Sequence, residues 1–449
     1  MSTLTYYRIK LQLASPLAVG SGEDSNTDSD VILDSSGAPI IPATSIAGAV
    51  RHFLGVECDD KSMLFGYVNG KNGNNGNNVD NGSDSLESKV KFYDAVLISD
   101  SFITVRDSVA LENKVGVKGA KFDKEAVETG EVCISEICNT GAKFDKEAVE
   151  TDSVFETLIE LRNVSEDEEN AILDAVSAID SGLLRIGSKT TRGYGEFRVT
   201  EIKKAVFCLP DDRKEWVEFL PYDFSSDKCY TDILHEIKNR KQNFNYTRIH
   251  LELKQRGAVS IRSYTVKNAN DIKTADFVQL STNDGVPVIP GTSWAGAFRK
   301  RFSDFTGKDK EYVNSVCGNV DIEKNIQSKS KIIFSESRLA NYVEKKIDRN
   351  AIDRFSAGTK DGALYSEKTV YNGKCSLNID IKNDVAEPDK CMKIISAVIC
   401  DLDRGYLAVG GLTSVGRGLF SVEKVTIDNA DVTEAMKRAD IQGMTGGNA

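Results

Sequence analysis

Three histidines, His52, His235 and His250, are all that the 449 residues contain. A nuclease or hydrolase built on histidine has little to work with here. The nine cysteines follow no metal-binding spacing: there is no Cys-x-x-Cys pair, and the closest two are Cys133 and Cys138. That argues against a zinc site, and irregular, odd-numbered cysteines fit a compartment where thiols stay reduced. No apolar run is long enough to cross a bilayer. Met1 to Tyr7 lacks the basic and apolar regions of a signal peptide, so a cytoplasmic protein with no membrane partner is expected. Positive charge is also scarce, with 57 Lys and Arg against 68 Asp and Glu and a net charge of −11. A free-standing nucleic-acid binder is usually basic. An acidic body can still carry local basic tracks, or meet RNA inside an assembly whose other members supply charge.

What the sequence does contain is a repeat. Residues 41–51 read I-P-A-T-S-I-A-G-A-V-R, and residues 289–299 read I-P-G-T-S-W-A-G-A-F-R, 248 positions later. A second pattern, G-x-x-T-x-x-G-x-G-x-F, occurs at 187–197 and again at 410–420. The opening strands also match, Arg8–Leu13 against Arg248–Leu253. Three matches in one order mean a duplicated domain. The expected divisions are domain 1 over 1–205, a linker over 206–246, domain 2 over 247–430, and a disordered tail over 431–449, Gly-rich at its end. A smaller duplication, GAKFDKEAVET at 119–129 and 141–151, reads as an expanded surface hairpin or a lengthened arm touching nucleic acid. Residues 70–85 are a low-complexity Asn/Gly loop.

Each half opens with an alternating strand, passes through a short hairpin and a Pro-x-Thr-Ser helix start, and ends with a second helix and a glycine-flanked strand. In the first half Ser165 and Glu168 form a capping box for the second helix. In the second half Pro388 begins the corresponding helix. Strand, helix, strands, helix, strand is the order of an α+β sandwich of ferredoxin-like type.

Three places could carry chemistry. The closing turns combine glycine with Lys189, Thr190, Arg192 and Gly193 in the first half and Thr413 and Arg417 in the second. Both would suit phosphate, or serve as tight structural turns. The helix starts, Thr44-Ser45 and Thr292-Ser293, suit an anion or ordinary capping, with Arg51 and the cluster Arg299-Lys300-Arg301 further along. The acidic stretch Glu23–Asp30, with Asp28 and Asp30, could hold a hydrated divalent cation, position a 2′-hydroxyl, or be merely solvated. Its counterpart is 271–276. Counting back from Val31 and Val278 places Asp28 opposite Ala275, and Ser29 opposite Asp276.

Together these features resemble the RAMP superfamily (repeat-associated mysterious proteins), and more narrowly the backbone subunits of type III CRISPR complexes. Ser15-Pro16-Leu17-Ala18-Val19-Gly20-Ser21-Gly22 is similar to the family's S-P-L-x-x-G segment. Ile41–Arg51 and Ile289–Arg299 resemble its helix start, and Asp353-Arg354 with Gly362-Ala363-Leu364-Tyr365 resembles its mid-chain segment. Domain 1 has Gly119-Ala120-Lys121-Phe122 without the Asp-Arg pair, and domain 2 lacks S-P-L-x-x-G. The resemblance implies two tandem modified ferredoxin-like (RRM-like) domains, each with a thumb hairpin insertion. It implies guide RNA held along palm and turn, and a thumb that displaces a nucleotide of the guide–target duplex. It further implies cleavage of target RNA by the loop holding Asp28, with Asp30 and Asp276 as further candidates and Mg or Mn as the metal, held in part by Asp28. Expected partners are guide RNA, target RNA and other type III effector subunits. Fusion of two modules in one chain looks most like type III-D.

Three other readings compete with this one. The chain could be a structural RNA-binding subunit without nuclease activity. It could be a guide-precursor processing endoribonuclease, for which His52 is the candidate near a helix start. It could also be a metabolic enzyme built from two ferredoxin-like halves, although no cofactor fingerprint supports that.

Overall fold

A computed structural model of the chain describes residues 2–21, 30–55, 64–68, 85–101, 103–112, 115–116, 142–224, 226–240, 246–263, 275, 277–282, 284–321, 326–350, 352–359 and 364–438. It is a mixed α+β structure with two sheets that repeat one plan.

In the first half, β1 (Ser2–Leu13) leads through β2 (Ile40–Ile41) into helix α1 (Ala43–Phe53). The short strands β3 (Val90–Phe92) and β4 (Ala95–Leu97) follow, then a long hairpin of β5 (Ile103–Glu112) and β6 (Ala142–Val149). Strand β7 (Val154–Arg162), helix α2 (Glu166–Asp180) and strand β8 (Phe197–Leu209) complete the unit. The sheet runs β8-β1-β7-β4-β2, with β3 also on β7 and Thr231–Asp232 beyond β8. The capping box expected at Ser165 and Glu168 is present, and four acidic residues in the first turn of α2 favour its positive end.

The second half repeats this with β9 (Tyr246–Arg256), β10 (Val288–Ile289), α5 (Gly291–Phe305) and α6 (Lys310–Cys317). Next come β11 (Ile332–Phe334), β12 (Ser337–Arg338) and a second long hairpin of β13 (Val343–Arg349) and β14 (Tyr365–Tyr371). It closes with β15 (Lys374–Lys382), α7 (Pro388–Arg404) and β16 (Leu419–Ile427). The sheet order is β11-β15-β9-β16, followed by Ala430–Asp431. Pro388 does start its helix, and Gly405 ends it in the left-handed region.

The ladders correct the alignment of the halves. The β1–β8 ladder slips between Lys10 and Leu11, and the β9–β16 ladder between Glu252 and Leu253. Lys10 therefore corresponds to Glu252, and Arg8 to His250 rather than Arg248. Both strands alternate with period two, so a slip of two residues leaves every side chain on its original face and the pattern cannot detect it. A second correction concerns the hairpins before the helices. Gly20 bridges Val31 and Leu33 bridges Pro39; Arg262 pairs with Gln279 and Ser281 bridges Pro287. Val31 thus corresponds to Gln279, not Val278. The buried Gln279 fills the apolar position because its amide is satisfied, accepting from Ile261 N at 3.0 Å and donating to Val288 O at 3.0 Å. Counted on in sequence alone, the same offset relates Asp28 to Asp276, both outside the described residues.

The helix-side face of each sheet holds the main core. In the first half Tyr7, Ile9, Leu11, Phe155, Ile159 and Phe197 pack against Ile46 and Val50 of α1 and Ile172, Val176 and Ile179 of α2. In the second, Ile249, Leu251 and Leu253 pack with Trp294, Phe298 and Phe302 of α5 and Ile395, Val398 and Leu402 of α7. Each such fully buried side chain contributes on the order of 1.5–3 kcal/mol from area removed from water.

Within the segment 206–246, expected as a linker, residues 206–224 and 226–240 are folded against the first half. Helices α3 (Arg213–Glu218) and α4 (Leu234–Asn239) lie within it. Trp216, Phe219 and Tyr230 cover Leu4, Tyr6, Leu158, Ala205 and Phe207, the opposite face of the first sheet. Residues 431–438 also differ from the expected tail: α8 (Thr433–Arg438) buries Met436 in the second core. Residues 439–449 and the Asn/Gly stretch 70–84 lie outside the described residues. So does the first copy of GAKFDKEAVET; the second forms β6. Among the described residues no helix is long and apolar enough to cross a membrane.

Candidate nucleic-acid interface

The two closing turns share one backbone. Residues Thr190–Arg192 and Thr413–Val415 each form a single 3-10 turn. Lys189 and Leu412 precede them at φ +53° and +56°, and Gly193 and Gly416 follow at +89° and +81°. Gly195 and Gly418 are required sterically: a Cβ on either would stand 1.9 Å from the carbonyl oxygen of Ile186 or Val409. Each turn is sewn to the segment after its opening strand. Ser188 and Gly195 donate to Ala18 O and Pro16 O at 2.8 Å, and Gly411 and Gly418 donate to Ser260 O at 2.7 Å and Ala258 O at 2.8 Å. Those N–H groups are spent within the fold, so side chains must set any specificity for phosphate.

The side chains differ sharply. In the first turn Arg192 is exposed, Thr190 is half-buried, and the Lys189 ammonium lies 5.7 Å from the centre of the Tyr194 ring. Gly193 is buried against the second half, where a Cβ would meet Glu336 N at 2.9 Å and Phe334 O at 3.1 Å. In the second turn Arg417 is buried and its guanidinium pairs with the buried Glu367 of β14. Thr413 is half-buried, and the positions of Lys189 and Arg192 are held by Leu412 and Val415. That Arg417 faces inward was not legible from its neighbours; the acid that recruits it lies 50 residues away on the hairpin.

The helix starts also differ from expectation. Pro42 and Pro290 occupy the N-cap positions, without side-chain capping bonds, so Thr44-Ser45 and Thr292-Ser293 lie inside the first turn. At α1 the place for an anion is already taken: Ala43 N donates to Asp94 Oδ1 at 2.6 Å. Further along α1 the Arg51 guanidinium lies over the Phe65 ring. In the basic cluster Arg299 binds Cys317 O, Gly318 O and Asn314 Oδ1, and Arg301 pairs with Asp401 at 2.5 Å, joining α5 to α7. Lys300 alone of the three is exposed.

Asp28 and Asp276 lie outside the described residues. Asp30 is buried, and its carbonyl accepts from Ser21 N at 3.0 Å; Ala275 is buried. Among the described residues no group of three or more His, Cys, Asp or Glu side chains could hold a metal ion.

Two features escaped sequence reasoning. The outer face of the first sheet, apolar at Leu4, Tyr6 and Phe207, is closed by α3 and Phe219, so it offers no stacking platform to bases. Arg8 on that face is buried under Phe224 and Tyr230 and pairs with Asp227. The outer face of the second sheet is polar instead, with His250 Nδ1 2.7 Å from Asn378 Oδ1 and Lys374 paired with Glu423 at 2.8 Å. The second feature is what the expected thumb hairpin carries past its paired strands: the β13–β14 ladder runs from Val343–Tyr371 to Arg349–Tyr365. Beyond its end Ile352, Phe355 and Leu364 are exposed, Phe355 completely. Asp353 holds this turn by accepting from Phe355 N and Ser356 N, and Arg354 lies beside the aromatic ring in sequence. A fully exposed aromatic with an arginine next to it in sequence suits stacking on a base.

A family model described as the RAMP superfamily matches residues 10–198 and 260–421. Among solved structures, one titled "Cryo-EM structure of the Type III-B Cmr-beta bound to cognate target RNA" resembles this chain at a TM-score of 0.31 and 17% identity. The match covers 40% of this chain and 60% of that one, less than two thirds of its length. No curated protein sequence matches.

Proposed function

Since this chain belongs to the RAMP superfamily, matched in both of its halves, we propose that it is a guide-RNA-binding backbone subunit of a type III CRISPR ribonucleoprotein. The observation that carries the reading is the family match across both copies, joined to the ordered motifs each copy retains. The strand orders, β8 beside β1 beside β7 and β16 beside β9 beside β15, support two ferredoxin-like modules in tandem. Tandem fusion makes the closest subtype III-D.

In this reading the exposed cations Arg192 and Lys300, with Lys189 beside Arg192 on the first turn, contact RNA phosphates. Arg299, Arg301 and Arg417 shape the protein that presents them. The β13–β14 hairpin is the thumb of the second module, with Phe355 entering the guide–target duplex; the β5–β6 hairpin is the thumb of the first. A displaced nucleotide frees the target backbone to reach in-line geometry. Its 2′-hydroxyl then attacks the adjacent phosphate while the 5′-oxygen of the next nucleotide leaves. Asp28 orients that hydroxyl and accepts its proton. A divalent cation, Mg or Mn, would supply charge neutralisation at the phosphate. The corrected register supports Asp276 as the matching group of the second module.

The test is target cleavage by the assembled complex carrying Asp28→Ala, Asp276→Ala or both. Each single change should remove one cut and leave target binding intact, and the double change should remove both. Cleavage identical to wild type in all three would leave a structural RNA-binding subunit.

A further inference from the structure

One corner of the sheet is built alike in the two halves but charged differently. Ser88 and Ser330 mark it, just ahead of β3 and β11: Ser88 Oγ donates to Val90 O at 2.6 Å, and Ser330 Oγ to Ile332 O at 2.7 Å. Arg162 N donates to Lys89 O at 2.8 Å, and Lys382 N to Lys331 O at 2.9 Å. A glycine packs on the residue before each serine. A Cβ on Gly66 would lie 2.9 Å from the carbonyl carbon of Glu87, and one on Gly318 would lie 3.0 Å from that of Lys329. Glu87 thus corresponds to Lys329, Lys89 to Lys331, and Arg162 to Lys382.

In the first half this corner is neutralised. Lys89 pairs with Glu168 at 2.8 Å, and Arg162 with Glu160 at 2.6 Å and Glu87 at 3.9 Å. In the second half those carboxylates are replaced or diverted. Lys329 stands for Glu87, and Lys390 holds the third position of α7 as Glu168 does in α2. Asp380, the counterpart of Glu160, is held by Arg248 at 2.6 Å. Lys331 keeps Asp384 at 2.5 Å, but among the described residues neither Lys329 nor Lys382 lies within ion-pairing distance of a carboxylate. Burial and the ammonium groups of Lys331 and Lys329 hold the Lys382 amine below its ordinary value, against the opposing pull of Asp384. On a chain of net charge −11 this is a local well for anions. Lysines suit phosphate as point charges. No exposed large apolar side chain lies at 328–334 or 376–385, so a protein segment would find no anchor on these strands.

We propose that Lys329, Lys331 and Lys382 form a separate contact for the phosphodiester backbone of RNA, one that the first half lacks. It stands apart from the hairpin. Lys382 ends β15, whose other end, Lys374, follows the β13–β14 hairpin by three residues. Eight residue steps of about 3.3 Å put the two ends about 26 Å apart. The proposal rests on the RNA-binding reading but on none of the residues assigned to cleavage.

The test titrates nuclease-treated, full-length protein with a short fluorescent oligouridylate from about 50 to about 200 mM salt. Wild type is compared with the double variant Lys329→Gln, Lys382→Gln, which leaves the Lys331–Asp384 pair in place and should keep the wild-type urea midpoint. Loss of two phosphate contacts should flatten the slope of log affinity against log salt by about 1.4, so wild type loses about sevenfold more affinity than the variant over that range. A footprint on the wild type needs no variant: bound oligouridylate should slow acetylation of Lys329 and Lys382 by acetic anhydride, read by mass spectrometry. Wild type that binds the RNA, with a variant of identical affinity and slope, would overturn the site and leave the RNA-binding reading standing. Wild type that binds no RNA would overturn both. Protection of the lysines by polyglutamate but not by oligouridylate would overturn the proposal in favour of an acidic protein segment.

Discussion

Arg417 separates a structural arginine from an RNA-binding one. It is 3% exposed and its partner Glu367 is 2% exposed, and their ion pair ties the closing turn to the thumb hairpin. Replacing Arg417 by Met keeps most of the side-chain volume and removes the charge. Among the described residues Glu367 would then keep only Arg349, 3.9 Å from its other oxygen and partly exposed. An uncompensated buried carboxylate costs about 3–5 kcal/mol, a large part of the roughly 5–15 kcal/mol that stabilises a domain. Removing both charges, with Arg417→Met and Glu367→Gln, should recover most of that loss, giving a coupling of about 2–3 kcal/mol. The assay is urea unfolding in a Trp216→Phe background, where Trp294, fully buried in the second core, is the only remaining tryptophan. If Arg417→Met shifts stability by less than about 0.5 kcal/mol while RNA affinity falls, the guanidinium serves the ligand and the reasoning fails.

Phe355→Ala should leave the urea midpoint unchanged, because a fully exposed ring loses no packing. It should weaken binding of guide–target duplex by about 1–3 kcal/mol in a filter-binding or anisotropy titration. Phe219→Ala should cost about 1–3 kcal/mol, since its ring packs on Tyr6 and Phe207 at centroid distances of 5.1 and 4.8 Å, and should raise exchange of the first sheet's amides. Burial raises the Glu156 carboxyl above its ordinary 4.5, so the folded state holds this proton more tightly than the unfolded chain. Its contribution to stability therefore falls as pH rises from 4.5 through the raised value, and stays lost above it. Glu156→Gln should remove that dependence and stabilise the protein at pH 7 by up to about 1 kcal/mol, read from urea midpoints at two pH values.

The duplication was legible because its punctuation is steric. Gly195 and Gly418 admit no other residue, and proline ahead of each first helix fixes where it begins. Alternation could not fix register, so the opening strands aligned two residues out of step, and the polar Gln279 in an apolar slot hid its correspondence with Val31. Charge was the least legible property. Arg417, Arg299 and Arg301 read as a basic track, yet each meets a partner remote in sequence. Residues 206–246 read as a linker because Pro210, Pro221 and charged residues break them up; Trp216, Phe219 and Tyr230 converge only once the chain turns back on the sheet.

The most direct test of an RNA-scaffolding role is isolation of the native protein under low salt without nuclease, followed by extraction of its nucleic acid and mass spectrometry of its companions. A small RNA of discrete length, together with other RAMP-containing subunits, is the expected result. A homogeneous single chain free of nucleic acid, with no affinity for added guide RNA, would contradict it.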